Sequence, residues 1–239
     1  MTQATRRRAE TDRDIRHQAR TLLVNDGPQA VTLRAIAREL GITAPALYRY
    51  YSSREDLLTH LRTDVCNDLA LELGQDLSEV ADTDHVGQVM AICRGFRRWA
   101  LGHPQEFTLV FASPAEPSSL CSVGNHDAGS DSFGRIFLAV AGRVLAAGEL
   151  ASAPDVPEVL RADLAVFQAD LLRTIAETGV HVPESRLSVG TAYVILQFWV
   201  RLYGQVALEV FGQFPFEVSD SAPLFESMLA ERVRDVGLA

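Results

Sequence analysis

The spacing of apolar positions in residues 32–58 predicts two short helices joined by a tight turn. The apolar positions are Leu33, Ile36, Ala37, Leu40, Ile42, Ala46, Leu47 and Tyr50. Their spacing is helical on both sides of Gly41, where glycine accepts the positive φ of a turn. Thr32 is a natural N-cap for a helix over 33–40, and a second helix begins after Thr43. This pattern is typical of a helix-turn-helix, whose second helix is free to enter the major groove of DNA.

The rest of the chain also has the apolar period of helices, and no segment alternates as a strand would. A first helix over 11–25 ends at Gly27-Pro28, and a long helix over about 54–73 is capped by Ser53. Further helices are predicted at about 84–102, 105–112, 132–149, 157–178, 185–211 and 221–236. The predicted fold class is all-α, with an N-terminal three-helix, homeodomain-like helix-turn-helix head and a C-terminal helical bundle.

The chain divides into three predicted parts. Residues 1–10 are polar, contain the triplet Arg6-Arg7-Arg8 and are expected to form a flexible basic arm that reaches phosphates or the minor groove. Residues 11–58 form the DNA-binding domain, and the helix over 54–73 connects it to a ligand-binding and dimerisation domain over 74–239. Within that domain, residues 113–131 form a long loop of a kind that is usually functional or mobile.

Charge is distributed unevenly along the chain. The net charge of −9 taken alone argues against a nucleic-acid partner. Residues 1–62, however, contain 11 Arg against 7 Asp and Glu, a net of +4, and the remaining residues contain 11 Arg against 24 Asp and Glu, a net of −13. A basic head on an acidic body confines the attraction for phosphates to one end, which favours docking of the head on DNA.

The cysteines and apolar segments indicate a soluble cytoplasmic protein. Three cysteines lie far apart, an arrangement that provides no disulfide framework and fits a reducing cytosol: Cys66, Cys93 and Cys121. The N-terminus has no apolar region of a secretory signal. The longest apolar runs, at 136–142 and 192–196, are too short to span a bilayer.

The chain contains no recognisable catalytic motif. The loop over 113–131 contains residue types found in metal or thiol sites: Cys121, His126, Asp127 and Asp131. Their spacing matches no pattern that would explain metal binding or catalysis. Signatures of a nucleophile elbow, a zinc protease, a P-loop and a dinucleotide site are also missing from the sequence. We therefore expect no enzyme activity, no metal and no cofactor.

Residues 32–58 resemble the DNA-binding domain of the TetR/AcrR family of bacterial transcriptional regulators. The matching positions are Thr32, Ile36-Ala37, Gly41, Thr43, Leu47-Tyr48, Tyr50-Tyr51, Ser53, Arg54-Glu55 and Leu57. The chain departs from the family pattern at Arg54, where Lys is commoner, and at Tyr51, where Phe is commoner. The segments W-A-L-G-H-P at 99–104 and F-T-L-V-F-A-S-P at 107–114 resemble a C-terminal domain type named for its Trp-His-Gly-like pattern.

The resemblance implies which residues contact DNA. The start of the second motif helix is expected to enter the major groove with Thr43, Ala44, Pro45 and Leu47. Ala44 and Pro45 offer only apolar contact, for example to a thymine methyl group, and Thr43 either caps the helix or binds phosphate. Arg49 can bind guanine or phosphate, Tyr48 is expected to bind phosphate, and Tyr50 is expected to pack in the head.

Phosphate contacts are also predicted where two helices begin. Thr32 and Arg34 open the first motif helix, whose free amides favour an anion. Arg54 opens the long connecting helix, where a cation opposes the helix dipole. A phosphate clamp is therefore the favoured role of Arg54, and a solvated surface arginine is the alternative.

Most aromatic residues of the second domain are expected to form its core, and a subset would line a ligand cavity if the domain senses a small molecule. Candidate ligand residues are Arg94, Phe96, Trp99, Phe111, Phe137, Phe167, Gln168, Tyr193 and Gln197. The resemblance implies a homodimer through helices over about 185–211 and 221–236, bound to a palindromic double-stranded DNA operator. The expected function is a repressor that a small molecule releases from its operator. The alternative is a DNA-binding regulator or activator that needs no effector or responds to a partner protein.

Overall fold

The computed structural model describes residues 3–112, 132–148 and 155–235, and the described elements are helical. The loop predicted over 113–131, including Cys121, His126, Asp127 and Asp131, lies outside the described residues. The α-helices in chain order are α1 (Gln3–Asp26), α2 (Leu33–Glu39), α3 (Ala44–Leu47), α4 (Arg54–Ser78), α5 (His85–Gly102), α6 (Pro104–Phe107), α7 (Ser132–Ala147), α8 (Arg161–Glu177), α9 (Val189–Phe211) and α10 (Ala222–Asp235). The all-α prediction is confirmed.

The head packs α1, α2 and α3 around one apolar core with the start of α4. Ile15 and Leu23 of α1, Ile36 of α2 and Leu47 of α3 are all fully buried there. Gly41 has a φ of 65° in the turn between α2 and α3, a left-handed conformation that favours glycine. The predicted helices of the head are therefore present, with α2 ending one residue earlier and α3 shorter than expected.

The prediction of a flexible arm was wrong for residues 3–10, which form the first turns of α1. Arg6 Nε pairs with Glu10 Oε1 one turn later at 3.1 Å, and Thr11 Oγ1 donates to the carbonyl of Arg7 at 3.0 Å. This segment consists largely of good helix formers but has no apolar stripe. The hydrophobic period therefore did not predict it.

Helix α4 belongs to both domains. Ser53 caps it by accepting a hydrogen bond from the amide of Asp56, as predicted, and the Asp56 carboxylate accepts one from the amide of Ser52 at 2.7 Å. The first half of α4 buries Leu57 and Leu61 in the head core, and the second half buries its apolar residues in the body. Helix α4 continues past Gly74 to Ser78, which corrects its predicted end at 73.

The body, formed by the second half of α4 and the helices that follow, is built around an aromatic cluster. Its rings come from α5, α6, α7, α9 and the π-helical segment Thr108–Ala112 that continues α6. We define the aromatic cluster as Phe96, Trp99, Phe107, Phe111, Phe133, Phe137, Trp199 and Tyr203, whose neighbouring ring centroids lie 5.0–6.4 Å apart. Phe96 contacts five of the other rings and is fully buried.

The last two α-helices differ in how much apolar surface they bury within the chain. Helix α10 directs Phe225, Leu229 and Val233 into the body core. Helix α9, capped by Ser188, begins at Val189 rather than at 185. Among the described helices, α9 alone is long and apolar enough to cross a membrane, and only 11% of its apolar stretch is buried within the chain. Much of its apolar surface is therefore not covered by the described part of the chain.

We predict that Phe96→Ala lowers the free energy of unfolding by about 3–5 kcal/mol, because it leaves a cavity at the centre of the aromatic cluster. Phe216→Ala is the matched control, since the Phe216 side chain is 71% exposed, and should change stability by less than about 0.5 kcal/mol. Urea unfolding at equal protein concentrations measures both. Similar losses in the two variants would contradict a central structural role for Phe96.

Candidate nucleic-acid interface

The helix-turn-helix presents polar and aromatic side chains on the face opposite its apolar core. Arg34, Thr43, Pro45 and Arg49 are exposed, and Tyr48 is 59% exposed although it is a large aromatic residue. Arg34 lies on α2, Thr43 directly precedes α3, Pro45 is in α3, and Tyr48 and Arg49 follow it. The structure therefore leaves most of the predicted DNA-binding residues accessible to a partner.

The two threonines that precede the motif helices have different contacts. Thr32 Oγ1 accepts a hydrogen bond from the amide of Ala35 at 3.2 Å and so caps α2. Thr43 precedes α3 in extended backbone, and its side chain makes no capping hydrogen bond. Of the two roles proposed for Thr43, the structure therefore disfavours capping, and phosphate contact remains a prediction.

Leu47 is not available to bases, which corrects its predicted role. Its side chain is fully buried in the head core, where it holds α3 against α2. Ala44 is half-buried against the same core, and Tyr50 packs there as expected. Residues three and four positions apart share one face of a helix. Pro45 of α3 and the two residues that follow the helix, Tyr48 and Arg49, are therefore exposed on the side away from the core.

Arg54 donates hydrogen bonds to the backbone of the head, which favours a structural role over the predicted phosphate clamp. Its Nε donates to the carbonyl of Val31 at 2.7 Å, and its Nη2 donates to the carbonyl of Pro28 at 2.5 Å. Both acceptors lie in the link between α1 and α2. Hydrogen bonds from a charged donor to these carbonyls join the start of α4 to that link, so Arg54 orients the motif from behind.

Tyr51, the second departure from the family pattern, ties α1 to the motif through its hydroxyl group. The Tyr51 hydroxyl donates to Asp12 Oδ1 at 2.6 Å, and the ring is buried. Burial and then this hydrogen bond raise the pKa of Tyr51, so the phenol stays protonated and remains a donor. A phenylalanine at this position could pack equally well but could not make this bond.

An ion network connects the head to the body behind the DNA-binding face. Arg20 of α1 pairs with Asp68 of α4 and donates from Nε to Glu106 Oε1 of α6 at 2.5 Å. Glu106 is buried. Burial disfavours the charged form of Arg20, but the hydrogen bonds with Glu106 and Asp68 outweigh it and raise the pKa of Arg20. The guanidinium therefore stays charged and satisfies one oxygen of the buried carboxylate.

The segment after Glu106 also reaches the head. Leu109 is buried within the head core although it follows α6 in the chain, and Arg62 Nε donates to the carbonyl of Leu109 at 3.1 Å. Sequence reasoning did not single out Arg20, Arg62, Glu106 or Leu109. The one available signal was Glu106, a carboxylate at the start of an otherwise apolar run over 106–112.

The predicted ligand residues of the body do not converge on one site. Phe96, Trp99, Phe111 and Phe137 do meet in the aromatic cluster. Gln168 instead donates from Nε2 to the carbonyl of Leu187 at 2.6 Å. Beside it, Phe167 packs in a separate apolar group between α8 and α9. Tyr193 and Gln197 lie half-buried on α9.

Arg94 is a surface residue, which corrects its predicted role in ligand binding. Its guanidinium forms two hydrogen bonds with the Glu226 carboxylate of α10, at 2.9 and 2.7 Å. The side chain is 51% exposed. Arg94 and Glu226 therefore attach α10 to α5 at the surface of the body.

Comparison with known families accounts for both parts of the chain. Residues 15–61 match the family model described as bacterial regulatory proteins, tetR family. Residues 89–231 match the model described as tetracyclin repressor-like, C-terminal domain. The chain belongs to the TetR family of bacterial regulators: it is a helix-turn-helix transcriptional regulator that binds DNA, and this is not a family of enzymes.

Individual relatives agree with this assignment. The HTH-type transcriptional regulators Rv1816 of Mycobacterium tuberculosis and Mb1846 of Mycobacterium bovis are each 28% identical over 92% of this chain and 89% of their own length. A crystal structure of the protein SCO4313 has a TM-score of 0.65 and 27% identity, with 98% of this chain and all of that chain covered. A Rhodococcus sp. RHA1 protein of unknown function, at 17% identity and a TM-score of 0.53 over 94% of this chain and 92% of its own, shares the fold.

We predict opposite signatures for Arg54→Ala and Arg34→Ala. Loss of the Arg54 hydrogen bonds should lower the free energy of unfolding by about 1.5–3 kcal/mol and leave the salt dependence of DNA binding unchanged. Arg34→Ala should leave stability unchanged and reduce the slope of log affinity against log salt by about one for each phosphate that Arg34 neutralises.

The measurements are urea unfolding and fluorescence anisotropy of a random-sequence duplex over a series of KCl concentrations. A reduced slope with unchanged stability for Arg54→Ala would return Arg54 to the phosphate-binding set.

Proposed function

We propose that this protein is a homodimeric transcriptional repressor that leaves its operator when a small apolar molecule binds in the body. The observation that carries the proposal is the position of residues 104–112, which contact the aromatic cluster on one side and the head on the other. A ligand that repacks the rings would therefore act on a segment that also positions the DNA-binding helices.

The segment 104–112 provides a physical route for this coupling. Phe107 and Phe111 project into the aromatic cluster, and the hydroxyl of Tyr203 donates to the carbonyl of Phe111 at 3.0 Å. Between those two phenylalanines, Leu109 enters the head core. The stretch Thr108–Ala112 is π-helical, a conformation that is frequent at functional sites. Displacement of Phe111 would therefore shift Leu109 and the Glu106–Arg20 pair.

The coupling needs only a modest free energy. Allosteric coupling between two sites is typically about 1–3 kcal/mol, or about 5- to 150-fold in affinity. The affinity of the ligand for the released state must exceed its affinity for the DNA-bound state by the same factor. By reciprocity, DNA must then weaken ligand binding by the same factor.

A second candidate is a DNA-binding regulator whose body takes no small molecule. The inner rings of the aromatic cluster favour it, because Phe96, Trp99 and Phe133 are at most 2% exposed and the ring centroids of Phe96 and Phe133 lie 5.3 Å apart. The outer rings favour the sensor, because Phe111, Phe137 and Trp199 are only partly buried and could be displaced at lower cost.

We predict that an aromatic small molecule that stabilises the protein in a thermal-shift screen weakens operator binding about 5- to 150-fold. The operator is first selected from a pool of random duplexes, and affinities are then measured by anisotropy with and without each compound. Phe216→Ala is the control and should respond like wild type, because the Phe216 side chain is 71% exposed and is not part of the aromatic cluster. Unchanged operator affinity with every stabilising compound would favour the second candidate.

The dimer face is assigned to α9. A stripe of residues three and four apart runs along its outer side: Tyr193, Leu196, Val200, Gly204, Leu208 and Phe211. Val200 is 57% exposed, and a Cβ at Gly204 would meet no atom within 4 Å, so a second helix could approach closely there. Helix α8 packs beside α9 and exposes Val166. Helix α10, by contrast, buries its apolar face within its own protomer. Helix α8 is therefore a better candidate than the predicted α10 for the second helix of the dimer interface.

A two-fold dimer also suits the DNA-binding role. Two heads related by two-fold symmetry can read palindromic half-sites separated by about 34 Å, or a multiple of it. In this arrangement the unpartnered apolar stripe of α9 is covered by a second copy rather than by a membrane. We infer that the protein works in the cytoplasm and is associated with the nucleoid when it is bound to DNA.

We predict that Val200→Arg converts the dimer to a monomer, because a two-fold axis would bring two like charges into one apolar contact. Val159→Arg is the matched control: Val159 is 86% exposed and lies in the short 3-10 turn Glu158–Leu160, away from the stripe. Sedimentation measures the oligomeric state of both variants. A dimeric Val200→Arg would exclude this face.

A further inference from the structure

A basic groove lies between the first turns of α1 and the residues that directly follow the recognition helix α3. It measures about 500 Å³ and is lined by Gln3, Arg7, Arg8, Thr11, Arg49 and Tyr50. Three of the six lining residues are arginines, and none carries a carboxylate. The groove exists because residues 3–10 are helical and bring Arg7 and Arg8 alongside the residues that follow α3.

Arg8 has two partners on the far wall of the groove. Its Nη2 donates to the carbonyl of Arg49 at 3.4 Å, and its guanidinium carbon lies 5.8 Å from the centre of the Tyr50 ring. The first contact satisfies a carbonyl just after the C-terminus of α3, where a cation also suits the helix dipole. The second is a cation–π contact. Arg8 therefore links α1 to the segment that carries Arg49.

Arg7 and Arg49 are left to bind something else. Both side chains are exposed, and within residues 3–112, 132–148 and 155–235 neither guanidinium has an ion-pair partner. The nearest carboxylate along α1, that of Glu10, is paired with Arg6. Two unpaired guanidinium groups facing one groove form a site for an anion with several acceptor oxygens, such as a phosphate.

We propose that this groove holds one backbone phosphate of bound DNA between Arg7 and Arg49, and that Arg8 is a positioning residue that fixes the Arg49–Tyr50 wall. The inference rests on the DNA-binding role and deepens it. A DNA phosphate is favoured over a free one because Arg49 directly follows Tyr48 on the surface that faces DNA. The first turns of α1 thus belong to the DNA interface as an ordered helix.

The test measures binding of the full-length chain to a random-sequence duplex by anisotropy over a KCl series, since phosphate contacts do not depend on sequence. Arg7→Ala and Arg49→Ala should each lower the slope of log affinity against log salt by about 0.9 per protomer. Because both guanidinium groups are needed to hold the one phosphate, either single loss releases it, and the double variant should lose no more than either single variant. Arg13→Ala removes the same charge from an exposed position of the same helix that does not line the groove, and it should leave the slope unchanged.

The role of Arg8 is tested by conservative rescue. Arg8→Ala should weaken binding about three- to tenfold, because it removes one cation–π interaction and one hydrogen bond. Arg8→Lys keeps a donor and a cation and should recover most of that loss. Tyr50→Phe keeps the ring and should bind like wild type, whereas Tyr50→Leu should bind like Arg8→Ala. Equal loss in Arg8→Ala and Arg8→Lys would overturn the positioning role.

The remaining outcomes distinguish failure of the groove assignment from failure of the DNA-binding function. Steep salt dependence in wild type with an unchanged slope in Arg7→Ala, or an equal loss in Arg13→Ala, would overturn the groove assignment and leave the DNA-binding function intact. A wild-type chain that binds no duplex would overturn both. Titration with inorganic pyrophosphate is the last arm: saturable binding that depends on Arg7, together with an unchanged duplex slope, would make the groove a site for a free phosphate ligand.

Discussion

The contact of Arg20 with Asp68 and Glu106 is the interaction on which the arrangement of the molecule depends. Glu106 is buried, and a buried carboxylate is costly unless a cation and hydrogen bonds compensate it. Arg20 provides this compensation from α1 of the head, and Asp68 holds the same guanidinium from α4. Withdrawal of α6 from the head would leave Glu106 uncompensated. The head and the body are therefore tied together by an electrostatic requirement as well as by apolar packing.

The same network explains how an acidic protein can present a basic face to DNA. On the body side of α1, Arg16 and Arg20 are neutralised by Asp64 and Asp68 of α4. On the opposite side, Arg7, Arg34 and Arg49 remain exposed. Carboxylates of α4 thus pair with arginines behind the motif, while arginines of the motif stay exposed, so the potential that DNA meets differs from the one suggested by the net charge.

Sequence reasoning succeeded where a local period or cap carried the information, and failed where the partner was distant. The core of the motif, the turn at Gly41 and the caps at Thr32 and Ser53 follow from spacings of a few residues. Leu47 illustrates the limit, because its position on a one-turn helix decides whether it faces bases or the core. Arg54 illustrates it further, since its acceptors lie 23 and 26 residues away.

The sequence by itself determined the all-α fold, the helix-turn-helix with most of its exposed residues, and the family. Only the tertiary structure decided that α1 begins at Gln3, that Arg94 pairs with Glu226, and that residues 104–112 contact both the head and the aromatic cluster. The physical reason is the range of the interactions. Helix periods and caps act within a few residues and leave a pattern in the chain, whereas ion pairs, inserted side chains and grooves join residues that only folding brings together.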